Sequence, residues 1–196
     1  MSPGPDGDAA PTPRAHILVA CLALFLIIAD QWTKHAIVGL FSTQQGIELP
    51  VRGQYVEPIP VLGGIFHLRI QENTGGAFSV LSGPGRVSVF LLVTSVLALG
   101  FIGWYYWSYR DSRWMRYAMA FVAGGAVGNL IDRLRLRYVV DFIDVDIGSY
   151  QWPFFNIADM AICAGAGMLA VYIARYRRQS GPETAKPETA QNDTQT

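Results

Sequence analysis

The chain has 196 residues, of which 51% are hydrophobic and only 15% are charged. Soluble domains carry about 25% charged residues, so this composition favours a membrane protein. The formal net charge is zero, and no basic surface indicates nucleic-acid binding. The two cysteines, Cys21 and Cys163, lie in apolar runs, and we expect small buried hydrophobic residues rather than a disulfide framework.

Four apolar segments have about the length of a membrane-spanning helix. Trp and Tyr near the segment ends fit the aromatic belts of a bilayer. Four spans place both termini on one side, and the three arginines of the turn at 110–116 favour the cytoplasm for that side. The sequence therefore predicts an α-helical integral membrane domain over 15–178 with spans at 15–37, 87–109, 114–131 and 154–174, between disordered polar tails at 1–14 and 179–196.

The long loop between the first two spans contains strand-like segments that Gly and Pro interrupt. These segments are I-E-L-P-V, Q-Y-V-E-P-I-P-V-L and G-I-F-H-L-R-I. A structureless loop of this length is unusual, so we expect a small sheet at the membrane surface over residues 43–72. The segment G-S-Y-Q-W-P-F-F could add a strand before the fourth span.

Acidic residues at membrane depth are costly, so each is a candidate for a functional site. Simple structural roles are also available for most of them. Asp30 and Lys34 have the i,i+4 spacing of a helical ion pair. Asp144 and Asp146 are expected to lie in a loop that faces water. A salt-bridge and capping cluster is possible for Asn129, Asp132 and Arg133, and a helix cap with an acid in the first turn for Asn156 and Asp159.

Asp141 and Asp159 differ from the other acids because apolar residues flank both of them. Asp141 lies in V-V-D-F-I and Asp159 in F-F-N-I-A-D-M-A-I, and both fall at one membrane face. Two carboxylates in a low-dielectric site do not both ionise easily, so one keeps its proton. Such a pair can hold a water molecule between a base and an acid, which is aspartic-protease chemistry and requires no metal or cofactor.

Five motifs in this order resemble the bacterial lipoprotein signal peptidase, or signal peptidase II, family. They are D-Q-W-T-K (30–34), E-N-T-G-G-A-F-S (72–79), G-N-L-I-D-R (128–133), V-V-D-F-I-D (139–144) and F-N-I-A-D (155–159). The resemblance implies an aspartic endopeptidase of the bacterial inner membrane. Its substrates would be prolipoproteins that carry a diacylglyceryl cysteine, cut just before that cysteine.

The same resemblance implies a role for each matching residue and an architecture for the outer face. Asp141 and Asp159 would form the catalytic dyad, close to the outer membrane face. The loop after the first span would form a β-cradle followed by a short surface helix. Besides membrane lipids and the substrate no partner is implied, and we expect a monomer with no cofactor. Supporting roles are implied for Asp30, Lys34, Asn73, Gly75, Ala77, Phe78, Asn129, Asp132, Arg133 and Asn156.

Three alternatives remain open from the residues alone. An ion-coupled transporter also uses intramembrane acids, although such proteins usually contain repeated halves, and no repeat is visible. A membrane scaffold could use the same acids only in salt bridges, for which Arg135 and Arg137 lie within reach of Asp141. Metal binding by D-V-D (144–146) is disfavoured, because no His or Cys adjoins it to complete the ligand set.

Overall fold

The computed structural model describes residues 11–51, 54–74, 86–109 and 112–179. They form four helices: α1 (Pro13–Gln45), α2 (Arg86–Tyr109), α3 (Arg113–Leu136) and α4 (Ile157–Gln179). Four strands complete the fold: β1 (Ile59–Leu62), β2 (Phe66–Asn73), β3 (Val139–Ile147) and β4 (Tyr150–Gln151). The predicted surface helix, and most of both predicted tails, lie outside the described residues.

The helix ends follow from local capping chemistry. The Thr12 hydroxyl accepts a hydrogen bond from the Ala15 N–H, and Pro13 takes the first helical position, so α1 begins inside the predicted tail. Gly46 ends α1 in the left-handed conformation, well beyond the expected residue 37. The helix has 33 residues and a length of about 50 Å, more than a bilayer core of about 30 Å requires.

Two of the described helices are long and apolar enough to cross a membrane, namely α1 and the Ile157–Arg175 part of α4. Large hydrophobic side chains such as Phe25, Leu97 and Trp104 are exposed on the helix surfaces, as a lipid environment permits. Cys21 and Cys163 are also exposed, so the prediction that both are buried is wrong. An apolar run in a membrane helix does not distinguish the lipid-facing side from the protein-facing side.

Glycines of α3 bring α1 and α4 into close contact with it. A Cβ atom at Gly124 would lie 3.1 Å from the Ala23 carbonyl oxygen of α1. At Gly125 it would lie 2.2 Å from the Ala158 carbonyl oxygen of α4. The small residues of A-G-G-A-V-G (123–128) therefore have the expected packing function. Helix α3 is the centre of the bundle, and it carries Asn129, Asp132 and Arg133 towards the sheet.

The sheet is antiparallel, in the order β1-β2-β3-β4. Only β1 and β2 come from the predicted loop region, and the segment 47–51 forms no strand. The connection between α3 and α4 supplies β3, which the sequence analysis did not identify as a strand, and the short β4. The β1–β2 turn contains Gly63 and Gly64, both at positive φ. The sheet therefore joins two connections that are distant in sequence.

Candidate active site

The loop that precedes α4 runs along β3 and brings the two predicted dyad acids to one place. The N–H groups of Phe142 and Ile143 both donate to the Phe155 carbonyl oxygen, at 3.1 and 2.9 Å. Asp141 and Asn156 are the neighbours of these residues along the chain. Strand β3, which carries Asp141, is thus hydrogen-bonded to the loop just before α4, the helix that carries Asp159.

A reciprocal cap begins α4. The Asp159 N–H donates to Asn156 Oδ1 at 3.0 Å, and the Asn156 N–H donates to Asp159 Oδ2 at 3.2 Å. This is a capping box with Asp in the usual place of Glu or Gln. The helix cap expected for this pair therefore forms, and it also fixes the orientation of the Asp159 carboxylate.

Asn156 contacts both acids from a fully buried position. Its Nδ2 donates to Asp141 Oδ1 at 2.7 Å, while its backbone N–H donates to Asp159 Oδ2. Asn73 of β2 donates from Nδ2 to the other Asp141 oxygen at 2.9 Å. Asn129 of α3 donates from Nδ2 to Asp159 Oδ1 at 2.8 Å. Both carboxylates are therefore held by neutral amide donors within one shared network.

A β-bulge decides which face of the sheet carries the site. In β2 the register with β3 shifts between Leu68 and Gln71, so one extra residue stands opposite Phe142. Side chains alternate between faces along a strand, and the extra residue reverses the alternation. Asn73 consequently shares a face with Asp141. Without the bulge it would project to the opposite face.

A buried ion cluster contacts the backbone beside the two predicted dyad acids. Lys34 Nζ lies 2.9 Å from Asp30 Oδ2 and 2.8 Å from Asp132 Oδ2. Asp30 Oδ1 also accepts from the Ala158 N–H at 2.9 Å, and Asp132 Oδ2 accepts from the Val140 N–H at 3.1 Å. These two N–H groups belong to the residues immediately before the dyad acids. The cluster therefore ties α1 and α3 to the backbone beside both predicted dyad acids.

Gln31 belongs to this cluster, although the sequence analysis did not select it. Its Nε2 donates to Asp132 Oδ1 at 3.0 Å and to the Gly128 carbonyl oxygen at 3.1 Å. Its place in D-Q-W-T-K was the available signal, since it adjoins Asp30. Arg133, at the end of the network, interacts electrostatically with Asp159 and Asp141, and its Nη1 donates to Ser95 Oγ at 3.4 Å.

The pKa of Asp141 is raised from 3.8 to about 7. Burial is the largest cause, and the negative charge of Asp159 adds to it. Hydrogen bonds from Asn73 and Asn156 and the charge of Lys34 act in the opposite direction. Asp141 is therefore the acid of the pair that retains a proton close to neutral pH.

Asp144 is 1% exposed and lies within β3, so the prediction that it faces water is wrong. Its Oδ2 lies 3.7 Å from Arg69 Nε, and its Oδ1 accepts from Gln151 Nε2 at 3.4 Å. It lies three positions after Asp141, so the two acids project to opposite faces of the strand. Asp146, nearer the strand end, is half-buried, and β2 brings His67 close to it.

The structure thus collects most of the predicted site residues. The predicted residues Gly75, Ala77 and Phe78 lie outside the described part of the chain. The expectation that no histidine completes a site at D-V-D is also wrong, because β2 brings His67, which is distant in sequence, close to Asp144 and Asp146. One end of the helix bundle brings together nine of the predicted residues, namely Asp30, Lys34, Asn73, Asn129, Asp132, Arg133, Asp141, Asn156 and Asp159.

A match to the signal peptidase (SPase) II family covers residues 22–175. The chain belongs to the signal peptidase II family. It is 38% identical over 161 residues to the lipoprotein signal peptidase of Syntrophotalea carbinolica, covering 82% of this chain and 91% of the relative. It is 40% identical over 170 residues to that of Geobacter metallireducens, covering 86% and 97%.

Solved structures agree with this membership. A bacterial membrane enzyme determined by the in meso method at 1.9 Å is 26% identical, with a TM-score of 0.66 over 80% of this chain and 92% of its own. A second such enzyme, at 2.3 Å, has the same fold with a TM-score of 0.69 over 91% and 99%. The predicted resemblance and enzyme class are confirmed: this signal peptidase II is a membrane aspartic protease.

Proposed function

We propose that this signal peptidase II removes the signal peptide from diacylglyceryl-modified prolipoproteins by cleavage just before the lipidated cysteine, with Asp141 and Asp159 as the catalytic dyad. The relatives are lipoprotein signal peptidases. The observation that carries the assignment is the position of Asn156, which donates a hydrogen bond to each carboxylate. Gln31 also donates to a pair of acids, Asp30 and Asp132, but Lys34 already pairs with both of those, whereas no described cation lies within ion-pair distance of Asp141 or Asp159.

The environments of the two acids assign their roles. Asp159 lies in the first turn of α4, where the helix dipole favours a negative charge, and it accepts hydrogen bonds from Asn129 Nδ2 of α3 and from the Asn156 N–H. It is the ionised base. Asp141 lies in the strand with a raised pKa and is the protonated acid. Aspartic proteases divide one proton between two carboxylates in this manner.

The reaction then proceeds in two balanced steps. A water molecule between the carboxylates loses a proton to Asp159 as its oxygen bonds to the scissile carbonyl carbon. Asp141 transfers its proton to the carbonyl oxygen, which gives a neutral tetrahedral diol. Asp159 next delivers its proton to the peptide nitrogen as the C–N bond breaks, and one diol hydroxyl returns its proton to Asp141. The dyad ends with the single proton that it had at the start.

We further propose that all four helices cross the bacterial inner membrane, with both termini in the cytoplasm and the dyad near the outer face. Supporting this topology, α2 and α3 have 24 residues each; α3 packs against both apolar helices, and α2 packs against α3. The sheet and the dyad lie at the end of the bundle where α3 finishes and α4 begins. A site there lies at the membrane depth that a lipid-anchored cysteine occupies. The enzyme acts as a monomer within the lipid.

A cleavage assay on a diacylglyceryl prolipoprotein peptide tests the dyad. Asp141→Asn and Asp159→Asn should each lower kcat by about 10²–10⁴-fold, the range that general acid–base catalysis contributes. Glu57→Gln, which removes an exposed carboxylate at the edge of the sheet region, should cleave at the wild-type rate. Near-normal turnover by either Asn variant, with the protein still folded, would refute the assignment.

A further inference from the structure

A second polar cluster lies on the face of the sheet opposite the dyad. Register pairs His67 of β2 directly with Asp144 of β3. Asp146, two residues further along β3, projects to the same face. One nitrogen or oxygen from each of these three side chains lies within 4.8 Å of the other two. The cleavage chemistry proposed above uses none of them.

The separation of His67 and Asp146 suits two ligands of one ion better than a hydrogen bond. His67 Nδ1 and Asp146 Oδ2 are 3.6 Å apart, beyond the usual hydrogen-bond range. Two ligands of a tetrahedral zinc ion, with bonds of about 2.0–2.1 Å, are separated by about 3.4 Å. Small side-chain rotations would therefore bring the atoms to coordination distance.

Two of the three candidate ligand atoms lack a hydrogen bond in the part of the chain that the structure describes. These buried atoms are His67 Nδ1 and Asp144 Oδ2. The Asp144 side chain is 1% exposed, and such a buried oxygen normally has a partner. Its contact with Arg69 Nε is 3.7 Å long, and Gln151 reaches only the other oxygen, at 3.4 Å.

The charges of the cluster also favour a cation. Two carboxylates, Asp144 and Asp146, face one guanidinium, that of Arg69, and a histidine that ligates a metal ion does so as a neutral imidazole. One negative charge is then left without compensation beside the buried Asp144, where an unpaired charge is costly. A bound divalent ion would leave a single positive charge and would give a partner to His67 Nδ1 and to Asp144 Oδ2, although not to Arg69 Nε, which also lacks a hydrogen bond.

We propose that His67, Asp144 and Asp146 form a binding site for a divalent transition-metal ion of the zinc class. One imidazole and two carboxylates suit such an ion, whereas calcium and magnesium prefer oxygen ligands alone. The fourth position of a tetrahedral ion would hold water. The ion would tie β2 to β3 and so stiffen the strand whose other face carries Asp141. This role goes beyond peptide cleavage and does not depend on it.

Metal binding is measured on the full chain in detergent, purified without a polyhistidine tag and stripped with EDTA before desalting. Zn²⁺ is titrated in competition with a chromophoric chelator, and Co²⁺ is added separately for its visible spectrum. Wild type should bind one equivalent of Zn²⁺ and give the intense absorption of tetrahedral Co²⁺. His67→Gln and Asp146→Asn should each weaken binding by more than the roughly 10–100-fold typical of losing an outer-sphere partner.

His35→Gln is the matched control, because His35 is an exposed histidine of α1 remote from the cluster in sequence, and it should bind Zn²⁺ as wild type does. Asp144→Asn is avoided as the main test, since it alters a fully buried side chain. Circular dichroism of each variant verifies that the helices persist. Absence of saturable binding to wild type, or equal affinity in wild type and His67→Gln, would overturn the proposal.

Discussion

Replacement of Asp141 by Asn should stabilise this signal peptidase II at alkaline pH while lowering its kcat by about 10²–10⁴-fold. A carboxyl whose pKa is raised on folding binds its proton more tightly in the native state than in the unfolded chain. Its contribution to stability is complete below the unfolded pKa and is lost as the pH rises through the folded pKa. For Asp141 this window extends from about 4 to about 7.

The magnitude follows from the pKa values of 3.8 and about 7. At about 1.36 kcal/mol for each pH unit, the ionised Asp141 costs about 4 kcal/mol above pH 7. Asn removes this charge, which stabilises the native state, but it also loses one hydrogen bond, which offsets part of that stabilisation. Its amide can accept a hydrogen bond from only one of Asn73 and Asn156, and its NH₂ group then faces the other donor, at a cost of about 1–3 kcal/mol. We therefore expect a net gain of about 1–3 kcal/mol at pH 8.

Thermal unfolding in detergent at pH 8 and at pH 4 measures the effect. A gain of this size raises Tm at pH 8 by a few degrees, since 1 kcal/mol corresponds to about 2–4 °C for a chain of this length. At pH 4 the variant should be equal to wild type or less stable. Asp144→Asn is the control on the same strand: its carboxylate lies beside Arg69, so the variant should lose stability at pH 8. A Tm for Asp141→Asn at or below wild type at pH 8 would refute the reasoning.

Three other outcomes are expected. Lys34→Met leaves Asp30 and Asp132 buried together without their cation, and should lower the free energy of unfolding by about 3–5 kcal/mol in chemical denaturation; an unchanged midpoint would contradict the buried cluster. Gly125→Ala places a Cβ 2.2 Å from a backbone oxygen of α4 and should cost about 1–3 kcal/mol, whereas Gly167→Ala, with no atom within 4 Å, should cost little; equal melting would argue against close packing of α3 and α4. Single-turnover cleavage should follow a bell-shaped pH profile whose alkaline limb lies near pH 7, and a flat profile would exclude a shared proton.

The sequence predicted the helices better than the sheet, for a physical reason. A spanning helix satisfies its own backbone hydrogen bonds, so an apolar segment of sufficient length indicates it without knowledge of its neighbours. The helix ends depended on caps that extended α1 at both ends. Strand β3 depends instead on pairing with β2, which lies about seventy residues earlier in the chain. A pattern confined to V-V-D-F-I-D-V-D could not reveal that partner.

The same distinction explains which features of the site could be predicted from the sequence. Apolar neighbours drew attention to Asp141 and Asp159, and the structure joins these two acids through Asn156, with Asp141 buried and Asp159 half-buried. The neighbours of Asp144 in the sequence did not predict its burial, since that burial comes from β2 and from Arg69 across the sheet. The bulge that directs Asn73 to the dyad leaves no signal in composition or periodicity. Contacts made by one element alone were therefore predictable, and contacts made by register were not.

The charges around the dyad explain why it must hold a proton. Asp30, Asp132, Asp141 and Asp159 supply four carboxylates, whereas Lys34 and Arg133 are the cations that the described residues bring among them. Lys34 is already bonded to two acids, so it can compensate the dyad only at a distance. The amides of the three asparagines orient the carboxylates but add no positive charge. Full ionisation would leave an excess of two negative charges in a cluster in which Asp30, Asp132 and Asp141 are buried, and a single shared proton halves that excess. The cluster thus creates the protonation state that hydrolysis requires, with neutral donors holding the acids where a third cation would have ionised both.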